Sequence, residues 1–301
     1  MINADLLPVF KHLALGEIRR RDVVLHLQRK ARTAPNAAWQ ALKIIRRMFN
    51  FSLEQDLPGI EANPCAHIKL ATPEPKTRVL PREEIKLFWQ ATEVDWLAQT
   101  AGALRLILLT GQRPGEVIGM HTREIDGEWW TIPPERSKNK RPNRVFLTAT
   151  ALELVAGMSG YVFPGEAVTG QPARPRGGNA LAHYLRRLIL GSQPDKRVKG
   201  LAGRKKHAAL KQNGQFGNLS KLPIPYFTPH DLRRTAATRM AEAGILPHTI
   251  ARILNHTDRS VTALHYNLYS YDAEKKEALL RWEAELLQIV TEKDGHGPER
   301  G

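Results

Sequence analysis

Apolar residues recur at helical spacing along the first sixty positions. Between Arg21 and Ala34, Val23, Val24 and Leu27 fall on one side and basic residues on the other. After Pro35, the stretch from Ala37 to Leu57 repeats Trp39, Leu42, Ile45, Met48, Phe49 and Leu53, which predicts an amphipathic helix. Its polar face carries Lys43, Arg46 and Arg47, a basic stripe that suits either plain solvation or the side of a nucleic acid. Residues 1 to about 62 read as helical throughout. The pattern then lapses from Asn63-Pro64 through Pro73, Pro75 and Pro81, as in an interdomain linker.

Helical periodicity returns from Arg82 to Ala91 and from Trp96 to Thr110, and Gly111 stands where a C-terminal cap belongs. The period next shortens to two. Asp126-Gly127 is a hairpin signal, flanked by Glu124-Ile125 and by Trp129-Trp130-Thr131-Ile132, and a third strand follows from Arg144 to Leu147. The remainder reads as helix apart from residues 191–225. That stretch is glycine-rich and holds eight Lys and Arg, among them Arg204, Lys205 and Lys206, against Asp195 alone. The expected fold is mainly α with a small antiparallel β-sheet. The expected organisation is a helical domain over 1–72, a linker over 73–80, a second domain over 81–290 and a disordered tail over 291–301.

Charge narrows the partners. The 301 residues include 45 Lys and Arg against 30 Asp and Glu, a net charge of +15, which favours a polyanion and above all nucleic acid. Cys65 is the single cysteine, so neither an internal disulfide nor a cysteine-based zinc site can form. No apolar run approaches the roughly 18 residues that span a bilayer, and Asp5, Lys11 and His12 interrupt the N-terminal apolar stretch. The expectation is a cytoplasmic protein without a membrane partner.

Three segments place phosphate-binding and proton-transferring groups at suggestive points. In Thr110-Gly111-Gln112-Arg113-Pro114-Gly115-Glu116, Arg113 sits at a junction between helices, where its planar fork can meet two phosphate oxygens and Glu116 can hold it. In Thr228-Pro229-His230-Asp231-Leu232-Arg233-Arg234, Thr228 is placed to cap a helix opened by Pro229. His230 and Arg233 then share one helical face. In Leu254-Asn255-His256, a histidine precedes Tyr266 by ten residues. A tyrosine among arginines can attack phosphorus. Each segment alone also fits a surface charge pair, or a tyrosine packed on a helix.

In this order, the three segments resemble the tyrosine recombinase (phage integrase) family. The family signature is an arginine in a TGxRxxE context, a lysine in a β-hairpin, HxxR, a second histidine in LGH and a tyrosine about nine residues later. Arg113, Lys138, His230, Arg233, His256 and Tyr266 match it, with Asn255 where the family has glycine and an interval of ten before the tyrosine. The run from Tyr271 to Leu279, with Trp282 after it, is similar to integrases of prophages and genomic islands. Those begin with an arm-DNA-binding domain that this sequence does not display.

The resemblance implies a helical core-DNA-binding domain joined to a catalytic domain, closing on duplex DNA as a C-shaped clamp. It implies strand cleavage and rejoining through a 3′-phosphotyrosine made by Tyr266, without metal, ATP or another cofactor. Arg113 and Arg233 would stabilise the phosphate, Lys138 would protonate the leaving oxygen, His230 would act as base and His256 would donate a hydrogen bond. Lys43, Arg46, Arg47, Lys140, Arg204, Lys205 and Lys206 are the further DNA-contact candidates. Implied partners are attachment-site DNA, three further copies in a tetramer that exchanges the helix of residues 273–292, and an excision factor or host DNA-bending protein. A type IB topoisomerase and a catalytically silent DNA-binding relic are the alternatives.

Overall fold

Pro35 lacks an amide proton and stands where none is needed, at the first position of a helix that runs Pro35–Glu54. The computed structural model describes residues 1–72, 74, 77–93, 98–165, 172–191, 222–256 and 269–292. The chain divides into two units, Met1–Lys76 and Thr77–Gly301.

The first unit holds α1 (Leu7–Phe10), α2 (Arg20–Ala31) and α3 (Pro35–Glu54). Val23 and Leu27 of α2 meet Ala41, Leu42, Ile45 and Phe49 of α3 in a core that also buries Cys65 and Ile68. Two residues of the expected apolar face, Met48 and Leu53, instead turn to solvent. Helix α3 also stops short of Leu57. Asp56 adopts a left-handed φ of 49°, and the Leu57 and Asp56 amides donate back to Ser52 and Leu53 at 3.0 and 3.1 Å. That pairing closes the last turn, and Pro58 follows, so residues 55–62 are not the helix that their apolar content suggested.

The second unit is built around α5 (Ala98–Thr110), whose Leu104, Leu106, Ile107, Leu108 and Leu109 are all buried. A helix apolar all round must be covered on every side. The covering elements are α4 (Arg82–Glu93), α6 (Pro114–Ile118), α7 (Ala149–Val155), α8 (Ala180–Leu190), α9 (Pro229–Glu242) and the long α11 (Asp272–Thr291). Helix α10 (Pro247–Ile253) packs on α9 and α11.

The sheet is antiparallel in the order β1 (Ile125–Asp126), β2 (Trp129–Ile132), β3 (Asn143–Phe146). Asp126 pairs with Trp129, so the turn is centred on Gly127-Glu128, one residue later than the Asp-Gly pair predicted. Gly127 takes the first central position with φ 56°, where hairpins of this kind need glycine. Trp130 pairs with Val145 and Ile132 with Asn143, which sends both Trp130 and Ile132 into the core.

One further expectation is corrected. Described residues between α7 and α8 are not helical; they are held by isolated bridges, His121 to Tyr161 and Pro164 to Pro175. Helix α11 lies on this chain's own core, where Ala278, Leu279, Trp282, Leu286 and Ile289 are buried. The Trp282 indole donates to the Leu108 carbonyl at 2.9 Å, satisfying an acceptor that the end of α5 leaves open. Residues 192–221 of the basic loop and 293–301 of the tail lie outside the described residues.

Candidate active site

Gly111 ends α5 with φ 66° and sends the chain directly into α6. Between them, Arg113 caps α6 in extended conformation and Pro114 takes its first helical position. Glu116 is 4% exposed and binds Arg113 twice, accepting from its amide at 3.2 Å and from Nη1 at 2.9 Å. The guanidinium is thereby aimed while remaining half-buried.

Helix α9 begins as predicted at Pro229, but its cap works in the opposite sense. The Thr228 hydroxyl and amide both donate to the Asp231 carboxylate at 2.7 Å, so Asp231 does the capping. Asp231 also pairs with Arg234. One turn on, Arg233 is 4% exposed and donates to the carbonyls of Gly111 at 2.8 Å and Leu254 at 2.7 Å. Burial, and then Arg113, push its guanidinium down to about 10. A guanidinium has five N–H groups, and these two bonds leave the rest for an anion.

Helix α10 ends in a left-handed turn. The Asn255 amide donates to Arg252 at 3.1 Å and the His256 amide to Ala251 at 2.9 Å, with Asn255 at φ 50°. This is the closing pattern that usually takes glycine. Asparagine tolerates it, so Asn255 can stand there and set His256 immediately beyond the helix.

His230 and His256 occupy one electrostatic neighbourhood. Partial burial lowers both imidazoles, followed by Arg234 and Arg233 for His230 and by Arg233 and Arg113 for His256. Arg113, His230, Arg233 and His256 are therefore brought together as two cations and two imidazoles held toward their neutral form. Such a group binds an oxyanion and can exchange a proton with it.

Lys138 lies exposed in the β2–β3 connection. Arg136 anchors one side of that connection, bonding Glu124 at 2.8 and 2.6 Å and the Glu116 carbonyl at 3.2 Å. Its Nη1 occupies the place a Cβ on residue 119 would take, so a side chain there would displace this guanidinium. Asn139 anchors the other side, donating to the carbonyl and side-chain oxygens of Asn255 at 2.9 and 3.1 Å. A cleft of about 380 Å³ opens beside His256, lined among others by Asn139, Arg141, Arg252, Tyr269 and Tyr271.

Sequence reasoning missed the buried amides beneath this surface. Gln112 donates to Thr110 and Ile253 carbonyls at 2.9 Å each, and accepts from Asn143 at 3.1 Å. The signal was available in part: polar residues flanked by apolar neighbours must find partners.

Tyr266, Arg204, Lys205 and Lys206 lie outside the described residues. In the first unit, Lys43 stands 4.5 Å over the Trp39 ring and Arg47 pairs with Glu54 at 3.0 Å. Arg46 donates to the Ile68 carbonyl at 2.7 Å, so its guanidinium fastens the following segment to α3 rather than facing outward. Lys140, exposed at φ 57°, reaches the Glu135 carbonyl at 3.4 Å. Among the described residues no group of three or more His, Cys, Asp or Glu is placed to hold a metal ion, and no helix is long and apolar enough to cross a membrane.

The sequence profile described as Phage integrase family matches residues 78–272. The chain is 30% identical over 203 residues to prophage integrase IntZ of Escherichia coli (strain K12), covering 62% of this chain and 48% of that protein. It is 24% identical over 219 residues to the transposase from transposon Tn916 of Enterococcus faecalis, covering 67% and 50%. The chain thus spans about half the length of these curated relatives. A crystal structure of a lambda integrase(75-356) dimer bound to a COC′ core site has the same fold, with a TM-score of 0.54, 18% identity, and 84% and 83% of the two chains covered.

Proposed function

The chain belongs to the phage integrase family, and on that premise we propose that it is a site-specific recombinase of mobile DNA acting through a 3′-phosphotyrosine. The observation that carries this reading is the buried Arg233, bound by two backbone carbonyls and set beside Arg113 and two imidazoles.

The Tyr266 oxygen attacks the scissile phosphorus. The bond from phosphorus to the 5′-oxygen breaks, leaving a 3′-phosphotyrosine and a free 5′-hydroxyl. His230 takes the phenolic proton and Lys138 supplies one to the departing oxygen. Arg113, Arg233 and His256 hold the non-bridging oxygens, whose charge grows in the transition state. A 5′-hydroxyl from a partner duplex then attacks the phosphotyrosine, reseals the backbone and releases Tyr266. Phosphodiester energy is kept in the intermediate, so the cycle as written needs neither ATP nor a metal.

Residues 1–72 serve as the core-DNA-binding domain, with Lys43, Arg47 and, in the catalytic domain, Lys140 and the basic loop carrying Arg204, Lys205 and Lys206 as phosphate contacts. Four copies act on paired attachment sites, with an excision factor or a host DNA-bending protein setting direction. Incubation with a nicked duplex from the element's own junction is the test. Covalent protein–DNA complex that survives detergent is expected. Tight binding with no covalent product would make the chain a DNA-binding relic, and relaxation of unrelated supercoiled plasmid would make it a topoisomerase.

A further inference from the structure

The tip of the β2–β3 connection and the turn after α10 come from segments 116 residues apart, yet four short hydrogen bonds join them. Besides the two bonds that Asn139 donates, the Asn255 amide group donates to the Ser137 hydroxyl and to the Asn139 side-chain oxygen, both at 3.1 Å. The Ser137 hydroxyl donates in turn to that same Asn139 oxygen at 2.7 Å, and Ser137 is only 2% exposed. Lys138 stands between Ser137 and Asn139, both within this knot. His256 stands next to Asn255. The backbone at residue 255 asks only for a residue that accepts a left-handed φ, and glycine would meet that demand. The amide side chain is therefore available for a second task, and it is the side chain that makes the knot.

We propose that Asn255 is a positioning residue: its carboxamide, acting through Asn139 and Ser137, fixes the Lys138 loop in register with His256 and the phosphate site. The inference rests on the reading of that loop as the source of the proton for the leaving 5′-oxygen. A lysine has four rotatable carbons and a compact charge, so its aim depends on where its backbone is held. Misplacement by about 1 Å costs such a step up to roughly a hundredfold. The contact to be broken lies between side chains to which no role at the phosphate has been assigned.

The experiment is single-turnover cleavage by the full chain of two nicked substrates, one ordinary and one with a 5′-bridging phosphorothiolate. In the second, the phosphorus–sulfur bond breaks to give a thiolate that needs no proton. Asn255→Gly, which keeps the left-handed turn, and Asn139→Ala are each expected to slow the ordinary substrate roughly tenfold to a hundredfold. Both should cut the phosphorothiolate at close to the wild-type rate, and the double variant should be no slower than the worse single one. A merely structural role would slow both substrates alike, and that result, or a wild-type rate on the ordinary one, would overturn the proposal. Lys138→Ala and Lys140→Ala separate the two layers. If either lysine variant is rescued by sulfur and the asparagine variants are not, the positioning role fails while the acid assignment to the loop stands. If neither lysine variant is rescued, the loop does not carry the acid, and the proposal falls with that reading.

Discussion

Arg233 Nη1 and the Gly111 carbonyl oxygen lie 2.8 Å apart, so one residue proposed to grip the phosphate is itself gripped by the turn that presents another. The same guanidinium reaches Leu254, two residues before His256. Three separate segments of sequence meet at this one side chain.

Arg113→Ala and Arg233→Ala should both reduce cleavage by two to three orders of magnitude, the scale for a lost transition-state donor. Their stabilities should differ. Removing Arg233 strands two buried carbonyls at about 1–3 kcal/mol each, whereas Arg113→Ala leaves Glu116 its bond from the residue 113 amide. Urea midpoints check this: equal stability in the two variants would mean that the Arg233 bonds hold nothing together. Arg233→Lys should rescue neither property, because an ammonium cannot span both acceptors.

Gly111→Ala should be costly although alanine is a good helix former. A left-handed φ of 66° costs a side chain about 1–2 kcal/mol, and the new Cβ would stand 2.9 Å from Leu254 Cδ2. We expect a loss of roughly 2–4 kcal/mol, together with slower cleavage as the Arg233 acceptor moves. A thermal shift under two degrees would contradict it.

The histidines should titrate low. Partial burial and the arginine charges lower His230 and His256 from the ordinary imidazole value near 6.5. In the free protein their NMR midpoints should therefore lie below it, identified by His230→Gln and His256→Gln. The sign for stability follows: the unfolded chain takes up these protons first, so stability is full above the ordinary value. It falls as pH drops through the window down to the folded midpoints. Inorganic phosphate, by countering Arg113 and Arg233, should raise both midpoints. Midpoints above the ordinary value without phosphate would remove the proposed neutral base.

Tyr266, not Tyr269, should carry the phosphate. Glu274 holds the Tyr269 phenol above its usual range, and its ring packs edge-on against Tyr271 at 4.8 Å. Tyr271 in turn lies 4.6 Å beneath the Arg252 guanidinium. Tyr266→Phe should abolish covalent trapping and Tyr269→Phe should spare it. Mass spectrometry of the trapped peptide decides, and phosphate on Tyr269 would reverse the assignment.

Where local pattern governs, the sequence was readable. Arg82, Pro229 and the strands around Trp130 all start their elements within a residue or two of expectation, because periodicity and proline act locally. The legible part of the site is the set of charged residues at helix starts and turns. What escaped is long-range. The Gln112 bond to Ile253 joins residues 141 positions apart, and no spacing rule announces it. The Asp231 carboxylate rather than the Thr228 hydroxyl caps α9, a choice between two competent acceptors that only packing resolves. Trp282 and its neighbours have an amphipathic pattern that names no partner, and the face on α5 that receives them comes from residues far away in sequence.

The seat of Trp282 against Leu108 bears on when the protein can first act. Helix α11 follows, in the order of synthesis, every element that it covers. A nascent chain therefore carries Arg113, Arg233 and both histidines out of the ribosome while one wall of the α5 core is still missing. Domains fold as units, so the arginine cage tightens only once α11 has emerged. A polypeptide abandoned before that point would leave the α5 face that α11 covers open to proteolysis.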